Sequence, residues 1–122
     1  MTHRVVHFEI ETPDAEASVR FYREAFGWKI EHWNGIEGGY YLVHTDPAKG
    51  FDGGIQPVRD NRPRTVNTIE VDDVDSAVRK IVAAGGKVVR PKITVPGIGY
   101  HAYCADPTGL IFGLMKPDPA AK

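Results

Sequence analysis

The sequence predicts an α+β fold made of two tandem βαβββ modules, and three observations predict it. Residues recur at an offset of 59, strand-like alternation opens each copy, and an amphipathic helix follows it at the same place in both. The offset superposes Glu11 on Glu70, Asp14 on Asp73, Val19 on Val78, Arg20 on Arg79, Ala25 on Ala84 and Gly27 on Gly86. It continues through Gly38 on Gly97, Tyr41 on Tyr100, Gly50 on Gly109 and Gly54 on Gly113. Average residue usage would give roughly three identities over such a span, against the ten named here.

Taken in order, Val6, Phe8 and Ile10 alternate with His7, Glu9 and Glu11, the period of a pleated strand. Thr12-Pro13-Asp14 then supplies helix-entry chemistry, Ala15, Val19, Tyr22 and Phe26 form one apolar stripe, and Gly27 offers the left-handed residue on which helices end. Three strand-like runs follow at 28–33, 40–44 and 51–58, separated by turns rich in glycine and proline such as Gly38-Gly39 and Asp46-Pro47. The second copy opposes Asn67, Ile69 and Val71 to Val66, Thr68 and Glu70, enters its helix through Asp72-Asp73, and aligns Val74, Val78 and Ile81 before Gly85-Gly86. Its later strands are expected at 87–89, 100–105 and 110–115. The modules therefore span about 4–58 and 64–116 of a single domain, 1–122, with 59–63 as linker and 117–122 as a disordered tail. One such module cannot shelter both faces of its sheet. The expectation is a cup-shaped mixed sheet with helices on its outer face.

At 122 residues, 42% hydrophobic and 25% charged, the chain can bury about two-thirds of its unfolded surface without a disulfide or structural metal. A net charge of -1 offers nothing to hold it on a phosphate backbone or an anionic bilayer, so nucleic acid and membrane are not expected partners. Cys104 is the single cysteine, which removes a disulfide framework and any cysteine-cluster metal site and fits a reducing cytoplasm. Alternation begins at once after the N-terminus, and no apolar run approaches signal-peptide or membrane-spanning length.

Certain passages carry a family resemblance. They are the opening His7 strand, Phe21-Tyr22-Arg23-Glu24-Ala25-Phe26-Gly27-Trp28, Glu70-Val71-Asp72-Asp73-Val74-Asp75, Gly85-Gly86-Lys87-Val88, Pro96-Gly97-Ile98-Gly99-Tyr100 and Asp106-Pro107-Thr108-Gly109. In these the chain resembles the vicinal oxygen chelate superfamily, which includes glyoxalase I, extradiol dioxygenases, methylmalonyl-CoA epimerase, and fosfomycin and bleomycin resistance proteins. The resemblance implies metal ligands on the first and fourth strands of each module. Carried onto this chain, those positions are His7, Gly54, Val66 and Gly113. One imidazole among four is short of the three or four protein ligands such a metal needs, so no resident cofactor is expected. Glu9, Glu11 and Glu70 share the face of His7, which leaves a relocated divalent metal as the alternative.

The candidate catalytic pair is His7 and Glu9: an imidazole suits proton abstraction beside a carbonyl, and a carboxylate two residues on can orient it. Candidate ligand-binding residues are Thr68 and Glu70 as polar anchors, Gly54 and Gly113 as floor positions left open for a flat organic molecule, and the matched Tyr41 and Tyr100 as pocket or interface aromatics. Cys104 is expected as a small buried residue, and His3, His32, His44 and His101 as surface or rim histidines. The resemblance then implies a homodimer that binds a small organic molecule, as the metal-free bleomycin-resistance branch does. The alternatives are a lyase or isomerase of glyoxalase or epimerase type using His7 and Glu9, and a partner-binding module with a vestigial cup.

Overall fold

The computed structural model describes residues 3–35, 39–58 and 60–122; Gly38 and Arg59, named above in the repeat and the linker, lie outside the described residues. Elements run β1 (Val5–Thr12), α1 (Ala15–Phe26), β2 (Lys29–Trp33), β3 (Tyr40–His44), β4 (Gly53–Pro57), β5 (Arg64–Glu70), α2 (Val74–Ala83), β6 (Lys87–Val95), β7 (Gly99–Ala105) and β8 (Ile111–Pro117), with one 3-10 turn at Pro47–Lys49. The order is βαβββ twice, an α+β fold as the sequence predicts.

The chain divides into two compact units, His7–Val66 and Asn67–Lys122, the latter joined by the residues up to Val6. In the first unit the strand order is β2-β3-β4-β1, with β1 parallel to β4 and the other pairs antiparallel. In the second it is β6-β7-β8-β5, again with one parallel pair, β5 with β8. Each unit has its own core beneath its helix. Val19, Ile30, Val43 and Ile55, joined by Phe8, Ile10, Tyr22, Trp28 and Tyr41, fill the first. Val71, Val74, Ala102, Cys104 and Leu114, joined by Ile69, Val78, Ile81, Tyr100 and Phe112, fill the second.

Helix boundaries follow the expected chemistry. The Asp14 side chain accepts from the Ala17 amide at 3.1 Å, and α1 ends at Gly27 with φ +69°, its amide donating to the Arg23 carbonyl at 2.9 Å. Asp73 receives the Asp75 and Ser76 amides at the head of α2, which closes through Gly85 at φ +99°.

Two expectations are corrected. Strand β6 runs through Pro91 to Val95 rather than stopping at Val89, because it lies at the end of its unit's strand order and has register shifts between Val88 and Arg90 and between Arg90 and Ile93. A proline costs no ladder bond at such an edge or bulge. Residues 117–122 are not a loose tail: the Gly97 amide donates to the Ala121 carbonyl at 2.9 Å, the Asp118 amide donates to the Ile98 carbonyl at 2.8 Å, and Ala121 is buried. Prolines bury little, but backbone pairing with the 95–99 turn holds the segment.

Candidate functional site: a histidine–tyrosine–carboxylate chain

Strand alternation sends Phe8 and Ile10 into the core under α1 and turns His7, Glu9 and Glu11 to the opposite face. Glu9 is 4% exposed, and the parallel register sets it beside Gly54. Tyr40, 3% exposed, reaches this face from β3. Its hydroxyl donates to Glu9 Oε2 at 2.9 Å and lies 2.9 Å from His7 Nε2. With the phenol proton committed to the carboxylate, Nε2 must carry the imidazole proton, and Nδ1 is left with the lone pair. Burial holds the His7 imidazole below its ordinary value near 6.5, against a smaller upward pull from Asp52. The neutral ring meets Phe51 edge-on, 5.8 Å between centroids.

Beyond Glu9 the chain of bonds continues. Gln56 Nε2 lies 3.5 Å from Glu9 Oε1 and donates to Glu11 Oε2 at 2.8 Å. Arg64 Nε donates to Glu11 Oε1 at 2.6 Å and its Nη1 to Asp60 at 3.1 Å. His7 and Glu9, paired from sequence by spacing alone, are thus brought together, with Tyr40 between them. Tyr40 and Gln56 are the participants that sequence reasoning missed. Tyr40 stands in the run 40–43, apolar on both parities, so alternation could not say which tyrosine faces His7.

Gly54 is not open floor. A Cβ built there would overlap the Tyr40 hydroxyl and ring, so the place where the superfamily pattern puts a fourth-strand carboxylate is filled by a phenol. Among the described residues no three His, Cys, Asp or Glu side chains converge. Of the three relocation candidates, Glu9 and Glu11 are engaged by Tyr40, Gln56 and Arg64, and Glu70 belongs to the other unit. This donor set does not fit a divalent ion.

In the second unit Thr68 lies beside Gly113 across the same parallel pairing. Thr68 is 1% exposed, and His101, expected at a surface or rim, is 8% exposed. Arg90 Nη2 lies 2.6 Å from His101 Nδ1, and its guanidinium sits 4.5 Å from the Tyr103 ring centroid. Nothing in the sequence assigned Arg90, His101 and Tyr103 to one face, since β7 also mixes aromatic and apolar residues on both parities. Glu70 follows Thr68 on β5, and among the described residues it has no ion pair. Val66 is fully buried, and Cys104 is buried as expected, which pushes its thiol pKa up. Tyr41 and Tyr100 do not join these polar groups: each packs against its own unit's helix-side core. Tyr41 borders a shallow depression with Glu16, Val19, Arg20 and Arg23.

The sequence model of the glyoxalase-like domain family matches residues 7–115. A Mycobacterium tuberculosis protein named "Putative glyoxylase CFP32" is 34% identical over 115 residues, covering 88% of this chain; this chain in turn spans only 43% of that protein's length. A Vibrio cholerae protein named "Probable lactoylglutathione lyase" is 27% identical over 125 residues, covering 93% of this chain and 91% of the relative. The crystal structure of methylmalonyl-CoA epimerase from Mycobacterium tuberculosis superposes with a TM-score of 0.67 at 17% identity, over 98% of this chain and 93% of that one, a likeness of fold.

Proposed function

This chain belongs to the glyoxalase-like domain family, and on that premise we propose that it binds a small organic molecule through His7, Tyr40 and Glu9, without a resident metal ion. The observation that carries this reading is the Tyr40 hydroxyl, which stands between His7 and Glu9 over a glycine. It ties together two groups that a metal site would need free. The result is a pre-organised polar anchor: a neutral imidazole with one fixed tautomer, a buried carboxylate, and the Phe51 ring beside them for an apolar ligand part.

One observation favours a second reading, proton transfer of lyase or isomerase type. Burial keeps His7 neutral, and the Tyr40–Glu9 chain fixes its proton on Nε2, so Nδ1 has the lone pair a general base needs.

Calorimetric titration of the whole chain with nickel, zinc and S-lactoylglutathione, the last taken from the Vibrio relative's name, separates these. The expected result is no His7-dependent metal uptake, and thioester binding weakened about tenfold, or 1.4 kcal/mol, in Tyr40→Phe. Stoichiometric metal binding that disappears in His7→Ala overturns the reading. Exchange of the lactoyl α-proton with D2O, lost in His7→Ala, establishes the second reading over the first.

A further inference from the structure

On β4 the repeat pairs a polar side chain with an apolar one. Gln56 lies beside Glu11 across the parallel pair of the first unit, and Met115 lies beside Glu70 at the matched place in the second. The strand pairing therefore has no need of an amide there, and what Gln56 touches supplies the reason for it. Its Nε2 stands 2.8 Å from Glu11 Oε2 and 3.5 Å from Glu9 Oε1. Ionised carboxylates only accept, so the amide turns its NH2 group toward both. Glu11 is itself held: Arg64 Nε donates to its other oxygen at 2.6 Å, and Arg64 Nη1 reaches Asp60 at 3.1 Å. The two short, charge-assisted bonds on Glu11 fix where Gln56 sits, and from there it meets Glu9.

What that contact decides is the orientation of Glu9. With Oε1 turned to Gln56, Oε2 is presented to the Tyr40 hydroxyl, which donates to it at 2.9 Å and so meets His7 Nε2, 2.9 Å away, with a lone pair. A carboxylate turned away from Tyr40 would release the phenol proton to Nε2, and the ring would carry its own proton on Nδ1 instead. We propose that Gln56 is a positioning residue which, through Glu9 and Tyr40, holds the His7 ring proton on Nε2 and so presents the Nδ1 lone pair. Glu9 and Tyr40 are 4% and 3% exposed, and in such surroundings a bond to a charged group orients its partner more firmly than in water. All seven residues belong to the His7–Val66 unit. The inference rests on the ligand-binding reading of His7, but the tautomer it concerns belongs to the ligand-free chain.

The test reads the His7 ring nitrogens by long-range proton–nitrogen correlation on the intact, histidine-labelled chain, at a pH well above the ordinary imidazole value of 6.5. The His7 signals are assigned by their loss in His7→Gln. The wild type is expected to carry the proton on Nε2. Gln56→Met keeps the length and installs the residue found at the matched place in the second unit, and it should move the tautomer ratio about tenfold toward Nδ1–H. Gln56→Lys, which restores an N–H donor, should return the proton to Nε2. A wild-type ring protonated on Nδ1, an unmoved ratio in Gln56→Met, or a Lys variant that behaves as the Met variant does would each overturn the proposal. Should Gln56→Met not fold, the same coupling is read in reverse. Gln56 is the only glutamine, so amide labelling gives one side-chain signal, which should move downfield in Tyr40→Phe as Glu9 loses its other donor; an unmoved signal overturns the proposal. Failure of the wild type to bind S-lactoylglutathione, read separately by calorimetry, counts against the ligand-binding reading alone.

Discussion

A buried imidazole resists protonation because the charged ring loses more hydration than the neutral one, and His7 pays that penalty only in the folded chain. Unfolded, the ring binds a proton below its ordinary value near 6.5; folded, it stays neutral to lower pH. Over that window the unfolded state holds more protons, so stability is full above 6.5 and declines as pH falls, levelling once the folded ring also protonates. Thermal unfolding across this range should show a shallower decline for His7→Gln than for the wild type. An unchanged slope would mean that the ring is hydrated in solution. At this scale the sequence reading reached His7 and Glu9 because both lie on the polar parity of one strand. Alternation does not separate Tyr40 from Tyr41 or turn His101 inward, because β3 and β7 carry aromatic or apolar residues on both parities. Period-2 logic assigns a face only when the two faces differ in polarity.

Elements were legible where backbone chemistry is local. Both helix entries were marked by aspartates that do cap, Asp14 to the Ala17 amide and Asp73 to the Asp75 and Ser76 amides. Removing either cap should cost about 1 kcal/mol, read as a drop in urea midpoint for Asp14→Ala and Asp73→Ala with the slope unchanged. Asn in place of either aspartate should restore most of the loss, because an amide oxygen also accepts. Elements were misjudged where the decisive partner is distant in sequence. The extent of β6 past Pro91 depends on its place at the end of its unit's strand order, and the fixing of 117–122 depends on carbonyls and amides at 95–98. Neither fact is local to the residues concerned. Between 110 and 117, likewise, the strand is displaced to Ile111–Pro117, set by pairing of Gly99 with Pro117 and Ala105 with Ile111.

For the whole molecule, the repeat at 59 is a repeat of cores and not of sites. Ile55 and Leu114 superpose, as do Val43 and Ala102, and all four are at most 2% exposed. Tyr41 and Tyr100, the matched aromatics, are core packers in their own units. On the opposite faces the copies diverge: His7 meets Val66, Glu9 meets Thr68, Gln56 meets Met115, and Leu42 meets His101. Packing under a helix restricts both copies alike, while the polar face is free to acquire different chemistry in each. This is why the repeat located both cores and the paired Glu9–Gly54 and Thr68–Gly113 positions, yet could not say what filled them. Substitutions at matched core positions should then behave alike. Ile55→Ala and Leu114→Ala are each expected to cost about 2–5 kcal/mol, since both side chains are fully buried and leave comparable cavities. Cys104 supplies the second readout, being buried in the core that Leu114 helps to form. Its thiol should label slowly in the wild type, because burial excludes reagent and disfavours the thiolate, and markedly faster in Leu114→Ala. A Leu114→Ala chain that labels at the wild-type rate despite a lowered urea midpoint would show that the Cys104 environment opens independently of the core around Leu114.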